Sequence, residues 1–118
     1  MPTLADLAAG LVAAVHTLFA VVEVAFPRAI RIPGVADLSS PEGAQAIPVA
    51  RNAGVYNAFL AVALWAAVLL PDAPPAVRTY LLGCAAVAGA VGGLTLKWTV
   101  FVIQAVPALV ALGLWLGR

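Results

Sequence analysis

Four apolar stretches, each close to 20 residues long, leave this chain few ways to fold. About 20 apolar residues in a helix cross a 30 Å hydrocarbon core. In lipid the backbone of such a segment must satisfy its own hydrogen bonds, which a helix does. Of the 118 residues, 64% are hydrophobic and 9% are charged, against roughly 25% charge in a soluble domain. A water-facing surface so poor in charge would be one large apolar patch, whereas facing lipid it is appropriate. The expectation is one all-α domain over residues 1–118: a four-transmembrane-helix antiparallel bundle with one long polar loop between helices 1 and 2, surrounded by a lipid bilayer.

The first segment runs from about Leu4 to Phe26 and stops at Pro27, whose ring breaks the helical ladder. It lacks a basic leader, since Asp6 is the one charge before Gly10, and it carries His16 and Glu23. It therefore reads as a retained helix and not as a secretory signal. Residues 28–51 form the one substantial polar stretch, with Arg28, Arg31, Asp37, Glu42 and Arg51, and with Pro33, Pro41 and Pro48 interrupting regular structure. Within it Ser40 suits an N-cap and Pro41 a first helical turn, so a short interfacial helix over 40–46 is expected. The second segment spans about 52–70, ending at Pro71-Asp72. The third runs from about 75 to 91, with Gly92-Gly93 as the turn, and the fourth from 94 to 116. Placing the boundary at Lys97 instead keeps both helices near 20 residues but leaves almost no loop.

Lys and Arg near the helix ends set orientation. Arg28, Arg31, Arg51 and Lys97 lie on the side of the long loop, Arg78 and Arg118 on the other. Four against two places the long loop in the cytoplasm and both termini outside. In the third segment Ala85, Gly89 and Gly93 fall four apart, beside Ala86 and Ala90, a small-residue stripe that lets helices approach closely. It serves either packing inside the bundle or a homo-oligomer interface.

Ionisable residues inside the segments point to function, because each costs about 2.5–3.5 kcal/mol at the helix centre. His16 and Glu23 are seven residues apart, so they share a helix face about 10.5 Å apart along the axis. Lys97 and Gln104 repeat that spacing in the antiparallel fourth segment, which sets Glu23 and Lys97 toward the long loop and His16 and Gln104 near the midplane. Asn52, Tyr56 and Asn57 enter the same half from the second segment. Together these seven residues outline a polar pocket open toward the loop. Each also has a plainer use. Glu23 can pair with Lys97 or Arg28, His16 can join helices, Asn52 can cap helix 2, and Asn57 and Gln104 can act as interhelical glue. Pro107 is expected to kink the fourth segment and free a carbonyl near Gln104.

Several chemistries are excluded. A net charge of +1 leaves no basic face for nucleic acid. Neither a metal nor another cofactor is expected: His16 and Glu23 are too distant to hold one ion, and a single histidine cannot supply a bis-histidine haem. No Gly-rich phosphate loop, serine nucleophile motif or CxxC occurs. Cys84, alone in an apolar stretch, reads as a packing residue.

The run Arg51-Asn52-Ala53-Gly54-Val55-Tyr56-Asn57-Ala58-Phe59-Leu60-Ala61 resembles the bacterial membrane family catalogued as domain of unknown function 1304. That family's pattern here is close to Asn-Gln-Gly-Leu-Tyr-Asn-Gly-Phe-Leu-Ala. Its His then Glu in helix one matches His16 and Glu23, and its Gln-x-x-Pro-Ala matches Gln104, Pro107 and Ala108. Ala53 and Ala58 stand where the family has Gln and Gly. The resemblance implies four transmembrane helices and a bacterial cytoplasmic membrane, and implies no reaction.

Two functions fit the pocket. In one, His16 and Glu23 form an acid–base pair acting on a lipophilic small molecule oriented by Tyr56, Asn57 and Gln104; sterol isomerases use a broadly similar arrangement, an analogy only. In the other, Glu23 exchanges a proton for a cationic substrate, as in small multidrug transporters of this length, although the loop is long for that class and Lys97 can neutralise Glu23. A structural or accessory subunit is a third reading, which leaves the clustered polar residues unexplained. One-sided access favours catalysis, two-sided access transport.

Overall fold

A computed structural model describes residues 1–30, 37, 39–70 and 72–118; Arg31, Pro33 and Pro71, used above, lie outside the described residues. Four helices are long and apolar enough to cross a membrane: α1 (Leu4–Ala25), α2 (Pro41–Leu69), α3 (Pro75–Thr95) and α4 (Trp98–Leu116). No strand occurs among the described residues.

Local chemistry starts each helix. Thr3 caps α1 in a reciprocal box, Asp6 N–H donating to Thr3 Oγ1 and Asp6 Oδ2 accepting from Thr3 N–H. After α1 the chain makes one 3-10 turn, Pro27–Ala29. Asp37 then accepts from the Ser39 N–H and hydroxyl, which hold its carboxyl below its ordinary range. Ser40 Oγ caps α2 by accepting from Gly43 N–H at 3.1 Å, with Pro41 in the first turn.

Two boundaries differ from the sequence expectation. No separate interfacial helix forms: α2 runs unbroken from Pro41 through Pro48 for 29 residues, about 43 Å at 1.5 Å per residue. That exceeds a 30 Å hydrocarbon core by about nine residues. The polar residues Glu42 and Gln45 assign the excess to the N-terminal end, where exposed Pro48 forfeits one ladder hydrogen bond. The second difference is Gly92-Gly93, which lies inside α3 and makes no turn. Reversal occurs at Leu96-Lys97, the nearly loop-free alternative, with Lys97 extended. The glycines serve contact, because a Cβ on Gly93 would come within 2.5 Å of Phe101 Cβ and one on Gly92 within 2.6 Å of Val100 Cγ1.

The bundle interior is built of small residues. Eleven of the fifteen buried hydrophobic residues are alanine, so helix backbones approach closely and van der Waals packing holds them together. The large side chains, Leu11, Leu18, Phe59 and Val62 among them, point outward, which is the distribution lipid favours. The two extensive pairs are α1 with α2 and α3 with α4; α2 meets α3 less, and α1 barely touches α3. The stripe of α3 is used inside the bundle: Ala85, Ala86 and Gly89 are buried, and a Cβ on Gly89 would overlap the backbone of Ala105.

Opposite the long loop, Arg78 joins all four helices. Its Nη1 donates to Asp6 Oδ1 of α1 at 2.5 Å, and its Nε and Nη2 donate to Ala67 O of α2 at 3.2 and 2.7 Å. Ala67 lies in the last turn of α2, where carbonyls lack helical donors, and the residue four further on, Pro71, has no N–H to offer. Arg78 also stacks on Trp115 of α4, 4.0 Å from the ring centroid, and Trp115 Nε1 donates to Thr79 Oγ1. The sequence reading used Arg78 only as an end charge. It is a buried crosslink, and its Asp6 contact is the one ion pair among the described residues.

Candidate functional site

Glycine sets the meeting point of α1 and α2. A Cβ on Gly54 would sit 2.7 Å from Glu23 Cβ and 2.8 Å from Val24 Cγ2, so the helices cross there at backbone contact. One turn later Asn57 reaches across to α1. His16 Nδ1–H donates to Asn57 Oδ1 at 2.9 Å, and Asn57 Nδ2–H donates to Glu23 Oε2 at 2.7 Å. The 10.5 Å axial gap between His16 and Glu23 is therefore spanned by one amide from the neighbouring helix. An amide suits the place because it carries a donor at one end and an acceptor at the other.

His16 is fully buried. With Nδ1 donating to Asn57, its Nε2 faces the interior and has no hydrogen-bond partner among the described residues. Glu23 is half-buried and makes no ion pair among the described residues, so the alternative of a pairing with Lys97 or Arg28 does not form. On the side of the long loop Glu23 instead lines a cavity of about 890 Å³. Its walls are Leu18, Phe19 and Val22 of α1, Ala29 and Ile30 after it, Val49, Ala50 and Ala53 of α2, and Leu96 and Val100 at the α3–α4 reversal. The polar groups on this apolar wall are Glu23, Glu42, Gln45 and Lys97. A smaller hollow of about 500 Å³ lies at the other end between α2 and the start of α3, with Asp72 as its one charged wall residue.

The structure thus brings together some of the seven sequence candidates and not others. His16, Asn57 and Glu23 form one hydrogen-bonded chain, and Lys97 shares the cavity wall with Glu23. Gln104 is buried in α4 within a π-helical segment, Phe101–Ala105, with its Cβ against Gly89. The π turn precedes Pro107, which has no N–H for the i−4 bond, and such turns recur at functional sites. Gln104 makes no hydrogen bond to His16. Asn52 and Tyr56 stay outside the cluster. Asn52 is exposed in the interior of α2 and caps nothing, because the helix begins eleven residues earlier. Tyr56 is 66% exposed and packs edge-to-face on Phe59. Helical geometry explains this, since Tyr56 lies 100° and Asn52 about 140° around the axis from inward-facing Asn57.

Sequence reasoning missed Gly54, Glu42 and Gln45. A lone glycine within an apolar helix is a signal of close backbone approach, which would have marked Gly54. Glu42 and Gln45 carried no signal while residues 40–46 read as a short interfacial helix separate from helix 2. Ala53, where the resembled pattern has Gln, stands on the cavity wall.

No curated protein and no solved structure matches the chain. The model of one family, described as a protein of unknown function, DUF1304, matches residues 10–116, a span that takes in His16, Glu23, Asn57 and every wall residue of the larger cavity. An all-helical chain with four membrane-length helices, matched over almost its whole length, belongs to that family.

Proposed function

We propose that this protein binds a lipophilic small molecule in the cavity at the long-loop end, and that Glu23 is the acid–base group facing it. The observation carrying this reading is the wall itself: apolar on nearly all sides, with a carboxyl at its inner edge that is hydrogen-bonded through Asn57 to a buried imidazole. Mostly apolar pockets with a few placed polar groups are the usual form of small-molecule sites. His16 is not on the wall, so it acts through Asn57. While His16 donates from Nδ1, the amide must present its N–H to Glu23. A proton moving to the Asn57-facing oxygen of Glu23 would require the amide to turn and His16 to change tautomer. The bridge therefore couples protonation of Glu23 at that oxygen to the tautomer of a buried histidine, whereas a proton on Oε1, unpartnered among the described residues, leaves the bridge as it is.

Closure of the opposite end by Arg78, tied to α1, α2 and α4, supports one-sided access, and with it acid–base chemistry over proton-coupled transport. The excess of Lys and Arg beside the long loop supports a cavity opening toward the cytoplasmic face of a bacterial inner membrane.

Thermal stabilisation of the purified protein across a library of lipophilic metabolites tests this, with wild type beside Glu23→Gln and His16→Ala. A compound that raises the melting temperature of wild type, and of neither folded variant, is the expected result. If no compound stabilises wild type and Glu23→Gln only lowers the melting temperature, the polar chain is a structural tie and the reading is wrong.

A further inference from the structure

Resting on that reading of the cavity, we infer that its ligand is a lipophilic amine bound as the ammonium ion, with the charged nitrogen against Glu23. Two independent features lead there. The first is hydrogen-bond direction. Asn57 donates to Glu23 Oε2, so this carboxyl is already an acceptor toward the protein, and its other oxygen, Oε1, has no partner among the described residues. Toward the ionised form of this carboxyl, a complementary ligand group donates. The second is charge. Among the described residues, Glu23 and Glu42 face the cavity against one ammonium, that of Lys97, and neither carboxylate is in an ion pair. A wall with that balance attracts a monocation, leaves a neutral alcohol with a hydrogen bond alone, and repels a carboxylate.

Position adds to the argument. Glu23 lies two residues from the end of α1, and the wall residues of α2 from Glu42 to Ala53 include the part of that helix exceeding the hydrocarbon thickness. The charged nitrogen would sit at the polar boundary while its apolar body contacts Leu18, Phe19 and Val22. An amphiphile entering from the bilayer arrives in that orientation, so binding asks little of it in desolvation.

Decylamine, decanol and decanoate share a ten-carbon chain and differ in head group, which makes them suitable probes in neutral dodecyl maltoside micelles at pH 7. Apparent affinities are read from thermal stabilisation of wild type, Glu23→Gln, Glu42→Gln and Ala53→Trp, each first shown to be monodisperse and helical. Decylamine should bind wild type about tenfold more tightly than decanol, with decanoate weakest. Glu23→Gln should remove that advantage, Glu42→Gln should reduce it about threefold, and Ala53→Trp should block all three probes. Decanol or decanoate binding wild type as tightly as decylamine, with Ala53→Trp still blocking them, overturns the amine assignment and leaves the cavity in place. An advantage of decylamine that persists in Glu23→Gln does the same. If no probe distinguishes wild type from Ala53→Trp, the cavity reading falls and the amine assignment with it.

Discussion

At one end of the bundle Arg78 commits all three guanidinium nitrogens to Asp6 and Ala67 O and lays its face on Trp115. At the other end His16 and Glu23 share a single bridging amide, and each keeps an atom without a partner among the described residues. Both clusters place ionisable groups in an apolar bundle, and both join helices. They differ in saturation and in what lies beside them. The Arg78 end packs onto the small-residue core formed by Ala9, Leu82, Ala108 and their neighbours, beside the smaller hollow of about 500 Å³, whereas the Glu23 carboxyl itself lines the larger cavity of about 890 Å³. A saturated buried charge is a fastening. An unsaturated one facing a cavity is, on the reading proposed above, a place for a ligand. The comparison teaches that counting ionisable residues inside a membrane helix does not separate the two cases, whereas tracing each donor and acceptor does.

Substitutions at the two ends should therefore fail in different ways. The largest effect is expected for Arg78→Met, which takes the guanidinium from Asp6 and leaves Ala67 O without a donor. Asp6 is partly exposed and keeps its Thr3 hydrogen bonds, so the cost falls mainly on the buried carbonyl and the lost contact with Asp6 Oδ1, about 1–3 kcal/mol each, which unfolding in denaturing detergent should show. Arg78→Lys should recover little of it, because an ammonium cannot reproduce the planar fork or the stacking on Trp115.

Gly54→Val comes next. Its side chain would enter the α1–α2 crossing at Glu23 and Val24, and overpacking of this kind costs about 1–3 kcal/mol. By parting the helices it should also break the Asn57 bridge, so ligand stabilisation should vanish while helicity by circular dichroism is kept. A Gly54→Val protein that binds ligand normally would show that the crossing is not needed to build the site.

Asn57→Leu should cost less, about 1–2 kcal/mol, from a donor and an acceptor left without a partner. Its effect on ligand binding should be a clear loss that stops short of the complete block expected of Ala53→Trp. Nitrogen-15 spectra of the labelled histidine check the mechanism, since removing Asn57 should release His16 from the single tautomer donating at Nδ1.

The smallest effects belong to Asn52→Ala and Tyr56→Phe, within about 0.5 kcal/mol of wild type and without influence on binding, because both side chains face outward. A strong binding defect in either would move the site to the outer face of α2.

Much of this was legible in the sequence. Segment lengths gave the four helices, and the seven-residue spacing of His16 and Glu23 put both on one face. Their depth relative to Lys97 followed from antiparallel order alone. Facing directions on α2 were not legible. They depend on where that helix crosses α1, which Gly54 decides, so the run Asn52–Asn57 yielded one inward residue where three were expected. Gly92-Gly93 misled for a related reason: glycine marks both turns and close contacts, and only the partner helix, here Val100 and Phe101, tells which. Arg78 was hidden because the acceptors it meets, Asp6 and a carbonyl at the end of α2, come from parts of the chain far apart in sequence.

Saturable photolabelling tests most directly the division of the molecule into a fastening end and a binding end. A decyl probe carrying a diazirine would be crosslinked in detergent with and without excess unlabelled decyl compound, and the modified peptides mapped by mass spectrometry. The account predicts that the competed label falls on residues 18–30 and 42–53, and that Ala53→Trp removes it. Competed label on residues 72–77 near Arg78, or label on the lipid-facing surface that competitor does not displace, would contradict it.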